Sequence, residues 1–163
     1  MEVRDYKTYR VIYDEKDGDL LVGSVLPIPE ERTDFNGSKM KNQIESVLES
    51  VRSSSFPFLQ SRKSCLFVLP HDDMIVEQWV REQNPHNCRD YYLVEISLSG
   101  NLIWCDQDLF SDAALTTGEL LQQKAVDYWS TAGEDYSNFS MPEGLFVGKA
   151  VVVHIEENKH KAE

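Results

Sequence analysis

Tyr91-Tyr92-Leu93-Val94-Glu95-Ile96-Ser97-Leu98-Ser99-Gly100-Asn101-Leu102-Ile103-Trp104-Cys105 is the stretch whose reading decides the fold. In its first half Tyr92, Val94, Ile96 and Leu98 alternate with Leu93, Glu95 and Ser97, the period of a half-buried strand. Ser99-Gly100-Asn101 then reads as a turn, and the apolar run resumes at Leu102. The expectation is a hairpin of two strands, 91–98 and 102–105.

Upstream, Cys65 to Leu69 is an apolar run too short for a helix and closed by Pro70, so it reads as a buried strand. Asp72 or Asp73 caps a following helix that carries Ile75, Val76, Trp79 and Val80 at helical spacing. A loop follows at Asn84-Pro85-His86-Asn87. Further back, Ser38 offers an N-cap to a helix with Met40, Ile44, Val47, Leu48 and Val51 on one face, stopped by Ser53-Ser54-Ser55 and Pro57. At the front, Tyr6 to Tyr13 reads as a strand with Arg10 inside it. The turn Asp17-Gly18-Asp19 leads to a second extended run, Leu20 to Leu26, so a hairpin or meander corner is expected there.

Downstream, a helix over Thr117 to Trp129 packs Leu120, Leu121, Ala125 and Val126. A polar and aromatic loop, 133–142, precedes Gly144 to Ile155, read as two short strands with Gly148 as a bend or bulge between them. Paired strands with interspersed helices make an α+β class. No repeat, low-complexity tract or linker divides the chain. The expectation is one compact domain, 1–155, of mixed, mostly antiparallel sheets with flanking helices, followed by a charged tail, 156–163.

Composition limits what this domain does. With 41% hydrophobic and 27% charged residues, the 163-residue chain has an ordinary globular balance. Its 28 Asp and Glu against 16 Lys and Arg give a net charge of −12. Such a surface repels phosphate backbones and anionic head groups, which argues against nucleic-acid and membrane binding. No apolar run is long enough for a transmembrane helix. Met1-Glu2-Val3-Arg4-Asp5 lacks the basic-then-apolar order of a secretion signal. The three cysteines, Cys65, Cys88 and Cys105, are widely spaced and make no Cys-x-x-Cys pair, which points to reduced thiols and a cytoplasmic location.

Common catalytic motifs are missing. No glycine-rich nucleotide loop and no Gly-x-Ser-x-Gly elbow occurs. His71-Asp72-Asp73 invites a metal or phosphohydrolase reading, but helix capping explains both aspartates without a metal. The other histidines, His86, His154 and His160, lie in a loop, near a strand end and in the tail. Cys65 sits among apolar residues, where a thiol stays protonated and inert.

The order of elements carries more information. Thr8-Tyr9-Arg10-Val11-Ile12 comes first, then Ser61-Arg62-Lys63-Ser64-Cys65 leading into a strand and a helix. Tyr128-Trp129 and a loop then lead to Pro142-Glu143-Gly144-Leu145-Phe146. This order over residues 6–155 resembles the ADP-ribosyltransferase superfamily, the diphtheria-toxin and cholera-toxin-like fold. The resemblance implies a cleft that takes NAD as substrate and an enzyme that transfers ADP-ribose to a macromolecule or hydrolyses NAD.

By that resemblance Arg10 corresponds to the first-strand arginine, and Ser61 or Ser64 to the serine. Glu143 corresponds to the C-terminal glutamate, with Glu156 as its alternative. Catalytic roles then fall to Glu143, Arg10 and Ser64, and NAD contacts to Arg10, Ser61, Arg62, Tyr128 and Trp129, with Tyr136 and Phe139 as further stacking residues. Arginine-specific relatives carry Glu or Gln two positions before the catalytic glutamate. Here that position is Met141, so transfer to arginine is not expected.

Each residue also has a structural explanation: Arg10 as a cross-strand residue, Ser61 and Arg62 as loop caps, Glu143 as a surface residue, and the aromatics as core. The competing function is a non-catalytic acidic module that docks a basic protein partner.

Overall fold

The computed structural model describes residues 1–13, 20–33, 35, 39–83, 91–110 and 118–156. The Asp17–Asp19 turn, the Ser38 cap, the 84–87 loop, Cys88, His160 and the tail beyond Glu156 lie outside the described residues. Four strands and three helices alternate: β1 (Glu2–Tyr13), α1 (Lys39–Ser55), β2 (Leu66–Pro70), α2 (Asp73–Gln83), β3 (Tyr91–Asp106), α3 (Gly118–Ser130) and β4 (Pro142–Glu156). The class is α+β. Every described strand pairing is antiparallel, and the order β1-β2-β4-β3 closes back on β1.

Three sequence expectations are corrected. Residues 91–106 form one long strand rather than a hairpin, and 142–156 likewise form one strand rather than two. Glycine at 100 and at 148 marks a crossing, not a chain reversal. Gly100 pairs with Gly148, and both hold positive φ, 153° and 144°. A Cβ on Gly100 would stand 2.4 Å from the Val147 carbonyl oxygen, and one on Gly148 2.5 Å from that of Ser99. The missing side chains let two long strands coil tightly enough for the sheet to close.

The third correction concerns Leu20–Leu26. It forms no hairpin with β1. Val25 bridges Val151 of β4, and the Gly23 N–H donates to the Val152 carbonyl at 2.8 Å.

Strand alternation divides the core. Val94, Ile96, Leu98, Leu102 and Trp104 of β3 share an interior cluster with Leu66, Val68, Phe146, Ala150 and Val152. The opposite face turns Cys65, Cys105 and Leu145 toward Leu48 and Val51 of α1 and Ala125, Tyr128 and Trp129 of α3. A third cluster packs Val76 and Val80 of α2 on Tyr9, Leu69 and Leu93. Asp72 starts α2, its Oδ1 accepting from Met74 N at 2.9 Å. Among the described residues no helix is long and apolar enough to cross a membrane.

Candidate functional site

Strands β1 and β2 are paired at Thr8↔Pro70 and Tyr9↔Leu69 only. Beyond Tyr9 they part, and a cleft of about 870 Å³ opens between them. Arg10, Val11 and Tyr13 line one wall, Phe67, Val68 and Leu69 the other, with Trp79 of α2 nearby. Arg10 reaches across the split, its Nη1 donating to the Phe67 carbonyl at 3.4 Å. Arg32 adds a second cation. Its guanidinium lies 4.7 Å from the Phe67 ring centroid, and its Nη2 donates to the Cys65 carbonyl at 3.4 Å. Burial pulls the Arg32 pKa below its ordinary value. Arg10 and Arg32 thus bring two guanidiniums to one opening.

The far wall is built around Arg62, which is 5% exposed and lies in a short 3-10 turn before β2. Its Nε and Nη2 donate to the two carboxylate oxygens of Glu45, both at 2.8 Å. Its Nη1 donates to Tyr128 Oη at 2.6 Å and to Glu143 Oε1. Tyr128 Oη in turn donates to Glu143 Oε1 at 2.8 Å. The rings of Phe67 and Phe110 face the guanidinium at 4.8 and 5.1 Å.

One guanidinium therefore meets two carboxylates, with the Arg32 guanidinium of the same cleft near enough to act on both Arg62 and Glu45. Burial works to lower the Arg62 pKa, but the carboxylates of Glu143 and Glu45, with the hydrogen bonds to Glu45, outweigh it and hold it well above the ordinary value. Burial drives the Tyr128 hydroxyl well above its usual range, so it stays a proton donor to Glu143. Burial likewise pushes the Cys65 and Cys105 thiols up to about 12, which makes them poor nucleophiles.

Glu143 opens β4, as its position after a long loop suggested, and lines the cleft. Both of its hydrogen bonds fall on Oε1. Oε2 has none among the described residues.

The structure brings Arg10, Arg62 and Glu143 to one cleft. It gives the other sequence candidates different surroundings. Ser61 caps the turn, accepting from Lys63 N at 3.1 Å and donating to Glu49 Oε2 at 2.8 Å. Ser64 closes the same turn, its N–H directed to the Ser61 carbonyl at 3.3 Å. Trp129 is core, its indole donating to the Leu48 carbonyl at 2.8 Å. Tyr128 is fully buried, its hydroxyl donating to Glu143 Oε1. Tyr136 and Phe139 pack against the interior cluster. Glu156 pairs with Leu93 at the far end of β4. His71 stacks on Tyr9 at 4.3 Å and pairs with Glu95 at 3.2 Å, while Asp72 caps α2.

Two site residues escaped the sequence reading. Glu45 adjoins Ile44 and lies three residues before Leu48, on the apolar side of α1, and a charge there was the available signal. Arg32 follows a Pro-rich stretch without periodicity and carried no signal.

No curated protein matches the chain. One family profile matches residues 24–158, which includes Arg32, Glu45, Arg62 and Glu143 but not Arg10. The chain belongs to that family, described as a protein of unknown function, DUF2441.

Proposed function

We propose that the chain is an ADP-ribosyltransferase-like domain that binds NAD between β1 and β2 and cleaves its nicotinamide–ribose bond. One observation carries this reading: Arg10 and Glu143, from the first and last strands, line a single cleft beside β2. The strands that carry them are the two neighbours of β2. Arg10 and Arg32 suit the pyrophosphate, since a guanidinium fork matches phosphate oxygens and keeps its charge.

Breaking the bond builds positive charge on the ribose, as in other oxocarbenium-like transition states. The Glu143 carboxylate at the cleft wall stabilises that cation more than it stabilises the ground state. Nicotinamide leaves with the bonding electron pair, and water or a nucleophile of a macromolecule adds to the ribose carbon. Met141 stands where arginine-specific members of that superfamily carry Glu or Gln, so transfer to arginine by their usual arrangement is not expected. The net charge of −12 favours a basic protein as acceptor. Unbridged Cys65 and Cys105 suit a reducing cytoplasmic setting.

One feature favours a second reading, in which the acidic domain docks a basic protein without chemistry: Glu143 Oε1 is already engaged by Arg62 and Tyr128. Nicotinamide release from NAD separates the two. On the first reading the wild type releases nicotinamide, and NAD raises its melting temperature by binding the native state. Arg10→Ala loses that thermal shift. Glu143→Gln lowers turnover by roughly 10²-fold or more while NAD still binds. No release and no thermal shift at millimolar NAD would overturn the first reading and turn the choice toward the docking one.

A further inference from the structure

Arg62 and Tyr128 hold the carboxylate end of Glu143. Its backbone end is held from β3. There Asp106, only 7% exposed, pairs with Pro142, one rung from the pairing of Cys105 with Glu143. The Asp106 carboxylate gathers three backbone N–H groups. Met141 N donates to Oδ1 at 2.9 Å, Asp108 N to Oδ1 at 3.1 Å and Ser140 N to Oδ2 at 3.0 Å. Among the described residues no ion pair offsets this carboxylate. A buried carboxylate without a cation is costly unless its lone pairs are met, and here backbone N–H groups meet them.

The ladder shows what this arrangement replaces. Residues that bond across an antiparallel pair normally exchange two hydrogen bonds. Gln107 gives its N–H to the Met141 carbonyl at 3.0 Å, but the Met141 N–H goes to the Asp106 carboxylate. One side chain thus fixes both residues that lead into β4. Pro142 carries the constraint forward, because its ring fixes φ immediately before Glu143 and restricts Met141 behind it. Asp106 is not among the residues that line the cleft, so any effect on the chemistry passes through the chain.

We propose that Asp106 is a positioning residue for Glu143, fixing the start of β4 so that the carboxylate stands at the cleft wall. The inference rests on the NAD reading and adds what sets the place of its catalytic glutamate.

The test is nicotinamide release from NAD by the whole chain, with kcat and KM separated and circular dichroism reporting that each variant is folded. Asp106→Ala removes all three acceptors, and kcat is expected to fall by roughly 10²-fold, the effect of a small misplacement, while KM stays within about twofold. Asp106→Asn keeps one acceptor oxygen but turns an amide toward Ser140 N, and should lower kcat by less. It carries the test if the alanine variant does not fold. In a Glu143→Gln background neither change should lower kcat further, because the group it positions is already disabled. A merely structural role would lower kcat by the same factor in both backgrounds. That result, or an unchanged kcat in the folded Asp106 variants, or a loss confined to KM, overturns the positioning role and leaves the NAD reading standing. A wild type that releases no nicotinamide overturns both.

Discussion

Phe146 and Glu143 stand three positions apart on β4, yet they face different worlds. Phe146 joins Val94, Ile96, Leu98 and Leu102 in an interior cluster of apolar side chains. Glu143 turns to the helical side, where Arg62, Glu45 and Tyr128 form a buried charged cluster. Apolar burial is non-directional and scales with area, so the interior loses stability in proportion to the atoms removed. The charged cluster is conditional. Each ion's desolvation is offset only while its partners remain in place.

Arg62→Ala breaks this contrast most sharply, because it strands two buried carboxylates at once. Urea unfolding should show a loss of about 3–5 kcal/mol. Leu98→Ala, from the fully buried interior, should cost about 3 kcal/mol by the same measurement. If Leu98→Ala proved the more costly, the conditional character of the cluster would be refuted.

Replacing the whole cluster sharpens the comparison. Arg62→Met with Glu45→Leu and Glu143→Leu should fall within about 1 kcal/mol of the wild type, while nicotinamide release disappears. Stability and chemistry would then have been separated at one site.

The smallest effect belongs to Ser61→Ala. Burial alone would raise the Glu49 carboxyl pKa, but hydrogen bonds from Arg52 and Ser61 outweigh it and hold it low. A carboxylate depressed in the folded state contributes stability above its unfolded value and loses that contribution as pH falls through the folded one. The Ser61→Ala difference should be under about 1 kcal/mol at neutral pH and should fade below the usual carboxylate range in pH-dependent unfolding.

Helix faces and buried strands were legible in the sequence because each is a local periodicity. Leu48 and Val51 of α1, Val76 and Val80 of α2 and Ala125 of α3 are buried as spacing predicts, whereas Met40 and Leu120, in the first turns of α1 and α3 and expected on the same faces, are exposed. The glycines misled because a local rule reads Gly100 and Gly148 as turns, whereas each answers the other across two strands. At the site, position in the chain pointed to Arg10 and Glu143. The Glu45 pairing was not legible, since a helical glutamate reads as solvated until its partner from another element is known. Ser61 was read as one of two serine candidates, and its short-range cap to Lys63 was visible in outline as a loop cap.

Closure of the sheet also sets the order in which this protein becomes a protein. β1 is made before the strands it pairs with, and Tyr9 finds its strand partners at Leu69 and Glu95. The ring joins only when β4 reaches both β2 and β3. A nascent chain ending before Pro142 carries an aromatic first strand and two exposed sheet edges, the state most prone to pairing with a neighbour. With so many distant pairings to close, folding belongs with the slow, non-local topologies rather than the helical ones. β4 follows the three strands it completes, joins the two edges left among the described strands, and carries Glu143 to the cleft in the same step.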